Sequence, residues 1–251
     1  MLLIFGLGYT ATRIAACWPA PVIGITRSGH GGTLRFDDRD AVRVALRTAT
    51  HLLSSVPPDG DADPVLDSYG DGFGDQWLGY LSSTGVYGDA GGGWVDESTP
   101  VAGRRVGRNA ADRAWLARGA RVFRLPGIYG PDRSPLDRVR EGKAHRVDVP
   151  GQVFSRVHVD DIASGVVAAI SAPAGAYNLA DDLPMSHNRV TEFAASLLGL
   201  PAPPFVALDT LSPMGRSFYA ENRRVANGKA KRVLGWTPAY PTYREGLRAL
   251  V

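Results

Sequence analysis

The sequence is short of sulfur, of lysine and of long apolar runs, and each shortage excludes something. Cys17 is its only cysteine, which rules out an internal disulfide framework and a multi-thiolate metal site. Lysine occurs only as Lys143, Lys229 and Lys231; the remainder of the 28 basic residues are arginines scattered along the chain. With a net charge of only +3 and no basic run, no nucleic-acid partner is expected. No apolar run approaches the roughly 18 residues of a membrane span, and the first residues lack a basic n-region and cleavage site. A cytoplasmic protein without a membrane partner is therefore expected. No set of His, Cys, Asp and Glu has metal-ligand spacing, so no metal is expected.

What is present is alternation. Leu2 to Phe5 is a buried-type strand, followed by helix-compatible Tyr9 to Cys17; Pro19 and Pro21 stop that helix before a second strand, Val22 to Thr26. The pattern continues with a strand at Thr33 to Phe36, a helix at Asp40 to Thr48, and strands at His51 to Val56 and Trp77 to Ser82. A helix around Ala110 to Ala117 and a strand at Arg121 to Leu125 follow. Strands alternating with helices imply right-handed crossovers and a parallel sheet. The fold class expected is α/β, a Rossmann-type doubly wound parallel sheet. Residues 1–125 form the dinucleotide-binding core. Residues 126–251, with helices at Val159 to Ser171, Arg189 to Leu198 and Lys229 to Leu234, complete it and form a smaller substrate lobe over the sheet's carboxyl edge.

Gly6-Leu7-Gly8-Tyr9-Thr10-Ala11 fits G-x-G-x-x-G/A directly after the first strand. The first glycine permits the tight turn, the second lets the backbone approach a pyrophosphate, and Ala11 keeps helix and strand close. An acidic residue at the end of the second strand would read the ribose hydroxyls of NAD; Thr26-Arg27-Ser28 stands there instead. An arginine and a hydroxyl suit a 2′-phosphate, so NADP is expected in preference to NAD. Asp37 could accept from the adenine amino group or cap the helix behind it. Further cofactor contacts are expected from Ser54, Ser55 and Val56 at the fourth strand's end, and from Arg108, Leu125, Pro126 and Gly127.

With these residues placed, the chain resembles the extended short-chain dehydrogenases/reductases of the sugar-nucleotide epimerase type. Besides the glycine turn, the resemblance rests on Leu81-Ser82-Ser83-Thr84-Gly85-Val86-Tyr87-Gly88 and on Arg124-Leu125-Pro126-Gly127-Ile128-Tyr129-Gly130-Pro131. It continues through Val157-His158-Val159-Asp160-Asp161, Tyr177-Asn178-Leu179-Ala180 and Leu234-Gly235-Trp236-Thr237-Pro238. Ser217 to Asn222 is similar to the atypical, YeeZ-like bacterial branch. The resemblance implies a role for Ser83 as the hydroxyl that bonds the reacting oxygen, against satisfaction by local backbone.

The departure from that family lies in its Tyr-x-x-x-Lys pair. No tyrosine here is followed four residues later by lysine; the two family positions fall on Arg104 and Arg108. Guanidinium stays protonated and cannot act as an ordinary base. Arg108 could still hold the nicotinamide ribose, and Arg104 would favour an anionic substrate. Tyr87 and Tyr129 are candidate substitute acids, although buried structural roles suit both. Two readings follow. One is an NADP-dependent oxidoreductase or epimerase acting on a small hydroxyl or carbonyl substrate, sugar-like or anionic. The other is a non-catalytic NADP(H) sensor. A small-molecule partner is expected, and a homodimer is left open.

Overall fold

A computed structural model describes residues 1–251. The first half runs β1 (Leu2–Phe5), α1 (Tyr9–Cys17), β2 (Val22–Thr26), β3 (Leu34–Arg35), α2 (Arg39–Thr48), β4 (His51–Ser54), α3 (Pro64–Tyr69), β5 (Trp77–Ser83), β6 (Trp94–Val95), α4 (Val106–Ala117) and β7 (Arg121–Leu125). The second continues with β8 (Gly127–Tyr129), α5 (Pro135–Arg140), β9 (Arg146–Val147), β10 (Arg156–His158), α6 (Val159–Ala168) and β11 (Gly175–Asn178). It closes with α7 (His187–Leu197), β12 (Phe205–Val206), α8 (Pro213–Tyr219), β13 (Arg224–Val225), α9 (Gly228–Leu234) and α10 (Tyr243–Arg248).

Seven strands form one parallel sheet in the order β3-β2-β1-β4-β5-β7-β11. The order reverses between β1 and β4, and parallel sheets open a ligand crevice at that switch, beyond the carboxyl ends. All four residues of β1 are fully buried because helices cover both faces, as a parallel sheet requires. Ala11 and Ile14 of α1 pack with Ile162, Ala163 and Val166 of α6 on one face. Val42 and Leu46 of α2, Val65 of α3, and Ala111 and Trp115 of α4 cover the other. No helix is long and apolar enough to cross a membrane.

Residues after 126 add β11 to the sheet beside β7, a strand not singled out in the sequence. Three further features depart from the sequence reading. Helix α3 was not expected; Asp63 caps it by accepting from the Val65 and Leu66 amides. Helix α4 begins at Val106, four residues before the expected start, and Asp38 rather than Asp37 caps α2 by accepting from the Ala41 amide. Around the sheet's carboxyl edge, α5, α7 and α10 pack a second small core from Leu136, Val139, Val190, Ala194, Tyr243 and Leu247.

Candidate functional site

The glycine turn leads from buried β1 into α1. Gly6 has φ +84°, and a Cβ there would lie 2.8 Å from Ser55 Oγ, so glycine is required by both backbone and space. Ser55 itself donates to the Gly6 carbonyl. Gly8 differs: its backbone is extended, and a Cβ there would meet no atom within 4 Å. Its missing side chain leaves open space in front of α1. No side chain caps that helix, and its first turn carries no acid. Free amides and a positive helix end facing open space fit a pyrophosphate. Tyr9 is anchored by donating to the Pro131 carbonyl at 2.9 Å, and Thr10 follows it in the first turn while Leu7 bridges the two glycines.

Arg27 and Ser28 are exposed just past β2, and Arg27 makes no ion pair or side-chain hydrogen bond. Its guanidinium is free for a phosphate. Asp37 is occupied: Arg35 Nη2 donates to it at 2.6 Å and holds its carboxyl below the ordinary range. Ser54 ends β4, and Ser55 and Val56 follow it beside Gly6.

Across the switch point, a cleft of about 880 Å³ opens between the carboxyl edge and the second half of the chain. Of the expected site residues it brings together Ser83, Arg104, Arg108, Pro126 and Gly127; it does not bring in Tyr87, Tyr129 or Leu125. Ser83 ends β5, and its Oγ accepts from the Gly85 amide at 3.1 Å. A hydroxyl that accepts once still has its proton to give, so the local bond leaves Ser83 able to donate into the cleft. Arg108 lies in the first turn of α4 and donates to the Tyr80 hydroxyl at 3.4 Å.

Arg104 corrects the expectation built on it. It precedes α4, and its Nε donates to Glu221 Oε1 at 2.7 Å while Nη2 donates to the Ser217 carbonyl. Glu221 also takes Arg223 at 2.7 Å. Arg104 is thus a tether from the α4 approach to α8 and the segment after it, with its charge compensated.

Tyr87 and Tyr129 are structural. The Tyr87 hydroxyl donates to Asn178 Oδ1 at 2.7 Å and accepts from Arg124 at 3.1 Å. Burial pushes it up to about 12. Arg124 and Asp112, 3% and 0% exposed, form an ion pair at 2.7 Å, and Ser82 donates to the same carboxylate. This chain of bonds ties β5, α4, β7 and β11 behind the cleft. Tyr129 is buried in the second small core with no partner for its hydroxyl, and burial raises its pKa. His158 caps α6 by accepting from the Asp160 amide, and Asp161 accepts from the Ala239 and Tyr240 amides. That run of the sequence staples the carboxyl-terminal segment to α6.

Several cleft residues were not singled out from the sequence: Arg138, Arg156, His187 and Tyr219. Tyr219 is the only tyrosine lining the cleft, and its hydroxyl makes no protein hydrogen bond. No periodicity or motif marks these positions.

Behind Arg156 lies Asp181, 3% exposed, with one carboxylate oxygen unpartnered. Burial pushes its pKa from 3.8 up to about 7. The folded state therefore binds a proton in that window that the unfolded chain does not. The resulting stabilisation is complete below about pH 4 and is lost as pH rises to about 7. Asp181→Asn, neutral throughout, is expected to flatten this part of the wild-type profile and to be the more stable protein at pH 8. Urea denaturation of both proteins across that range checks this; parallel stability profiles would contradict the burial argument.

The fold is that of the extended short-chain dehydrogenases/reductases. A conserved protein of unknown function from Silicibacter pomeroyi is 42% identical, with 99% of this chain and 97% of that one covered at a TM-score of 0.86; the chain belongs to one family with it. The human epimerase family protein SDR39U1, crystallised with NADPH, is 15% identical over 100% of this chain and 99% of its own, at a TM-score of 0.79. Sugar-nucleotide epimerases and dehydratases, several holding NAD, share the fold at 15–19% identity and TM-scores of 0.76–0.79. Among curated proteins, a 3-diazoavenalumate denitrifying reductase from Streptomyces is 32% identical over 138 residues. That match covers 50% of this chain and 45% of the reductase, so the chain matches less than half the length of that relative. No protein-family model matches the chain.

Proposed function

We propose that this protein is an NADP(H)-binding oxidoreductase or epimerase acting on a small hydroxyl or carbonyl compound without the usual Tyr-x-x-x-Lys pair. The observation that carries the reading is the open space before Gly8 at an uncapped helix start, beside a cleft that begins at Ser83. The pyrophosphate would lie over Gly6 to Ala11, with Arg27 and Ser28 on a 2′-phosphate and Ser54 to Val56 along the crevice. Arg108, Leu125, Pro126 and Gly127 would border the nicotinamide end. When bound there, nicotinamide supplies or accepts a hydride at its C4.

The chain's own groups supply the rest. Ser83 donates to the substrate oxygen and holds the reacting carbon at the cleft mouth. Arg108 binds the nicotinamide ribose. Tyr219 has an unpaired hydroxyl, and burial raises its pKa. At neutral pH it is a proton donor, suited to reduction more than to the base-first oxidation of an alcohol. A non-catalytic sensor would account for the missing tyrosine–lysine pair, but a cleft of about 880 Å³ lined by polar side chains is what a substrate needs.

Cofactor choice tests this reading. A charge-assisted arginine–phosphate contact contributes about 1.5–3 kcal/mol, roughly tenfold to a hundredfold in affinity. NADPH is expected to bind more tightly than NADH by that factor, and Arg27→Ala to close most of the gap. Fluorescence titration with both cofactors reads this directly; superimposable curves in the unaltered protein would remove the NADP assignment.

A further inference from the structure

The cleft is electrically lopsided. Six arginines line it, and Glu221 is its only acid. Glu221 is consumed by Arg104 and Arg223, which leaves the end formed by α5, β10 and α7 uncompensated. At that end Arg156 is only 9% exposed yet lines the cleft. Its Nη1 donates to the Phe154 and Met185 carbonyls, at 2.9 and 2.8 Å. Its Nε and Nη2 have no protein acceptor, and no carboxylate stands within ion-pair distance. A buried guanidinium without a counter-charge is costly unless something else supplies the charge.

Other positive groups converge on the same spot. His187 opens α7, whose first turn has no acid, and the only side chain capping it is the neutral Ser186 hydroxyl, which accepts from the Arg189 amide. His145 lies with its ring 6.1 Å from that of His187. Burial, with the charges of Arg156, His145 and Arg138, pushes His187 down to about 4; its ring is held by the His145 backbone and by Thr191 Oγ1 at 3.4 Å. The nearest acid acting on Arg156 is Asp181, whose own burial favours its neutral form. Apolar walls also line the cleft: Phe154, whose ring lies 5.9 Å from the Arg156 guanidinium, with Leu211, Met214 and Phe218.

We propose that this arginine-lined end is an anion subsite, built by Arg156 and Arg138 beside the first turn of α7. It takes the carboxylate or phosphate head of a substrate whose apolar body lies against Phe154, Leu211 and Met214. The inference rests on the reading of the cleft as a substrate site and deepens it. The charge that selects the substrate comes from Arg156 and Arg138, and Arg104 does not contribute it. The substrate is an amphipathic acid.

Calorimetric titration of the full chain, with and without NADP, tests the proposal using 3-phenylpropanoate, phenyl phosphate and neutral 3-phenylpropanamide. One or both anions are expected to bind at least about tenfold more tightly than the amide, as charge-assisted contacts to arginine require. Comparing the two acids shows which head the subsite takes. Arg138→Gln, on an exposed side chain, is expected to cut the acid–amide gap by about tenfold, and Arg104→Ala to leave it. Arg156→Gln should abolish the gap, with thermal melting confirming that the variant is folded. Equal binding of acids and amide, no binding by any of the three, or a gap that survives Arg138→Gln and a folded Arg156→Gln would each overturn the subsite. A gap that persists when NADPH does not bind would uphold the subsite and reject the cofactor reading.

Discussion

Gly8→Val is expected to reduce NADPH affinity by at least about a thousandfold, equivalent to about 4 kcal/mol, while leaving the fold intact. Both halves of that expectation come from the same local geometry. The Gly8 backbone is extended, which a β-branched residue adopts readily. A Cβ at this position meets no protein atom within 4 Å, so the valine methyls enter only the space assigned to the pyrophosphate. Gly6 offers the contrast: with φ +84° and Ser55 Oγ 2.8 Å from a Cβ, a side chain there strains the turn itself. Circular dichroism and thermal melting should show a native-like Gly8→Val protein, with titration showing no binding. A folded variant that still binds NADPH would mean that the turn is only structural.

Asp112→Ala is expected to cost about 3–5 kcal/mol of stability, the range for removing one partner of a buried ion pair. For a domain of this size that lowers the melting temperature by roughly 10 °C. The loss is large because Arg124, 3% exposed, would keep its charge with no counter-charge, and the Ser82 hydroxyl would lose its acceptor. Converting the pair together, as Asp112→Leu with Arg124→Met, should recover much of the loss, since no buried charge is then orphaned. Equilibrium urea unfolding of the three proteins measures the effect. A loss below about 1 kcal/mol in Asp112→Ala, the scale of an exposed pair, would show that water reaches Arg124.

The sheet was legible because β1, β2, β4, β5 and β7 are four- to seven-residue stretches with apolar residues that alternate with helical segments, as in Leu2 to Phe5 before Tyr9 to Cys17. Strand β11 was not, because Gly175-Ala176-Tyr177-Asn178 has little apolar bulk and forms a strand only through its pairing with β7. Helix α3 was readable in principle: Asp63 followed by Pro64 is a capping residue before a first-turn proline. The glycine turn was legible since its chemistry is contiguous. The inner cleft was not, because Arg138, Arg156, His187 and Tyr219 come from four separate elements, and only tertiary packing gathers them. Arg104 shows the opposite failure. Its position in the sequence was informative, but its partner Glu221 lies 117 residues away, so its compensated charge could not be anticipated.

The central claim is that the glycine turn and the cleft are two ends of one dinucleotide and substrate site. A crystal structure of the protein with NADP tests it most directly. The account predicts the pyrophosphate over Gly8 at the start of α1, the 2′-phosphate on Arg27, and nicotinamide C4 facing the cleft near Ser83. A cofactor bound elsewhere, or one whose nicotinamide points away from Ser83, would contradict it.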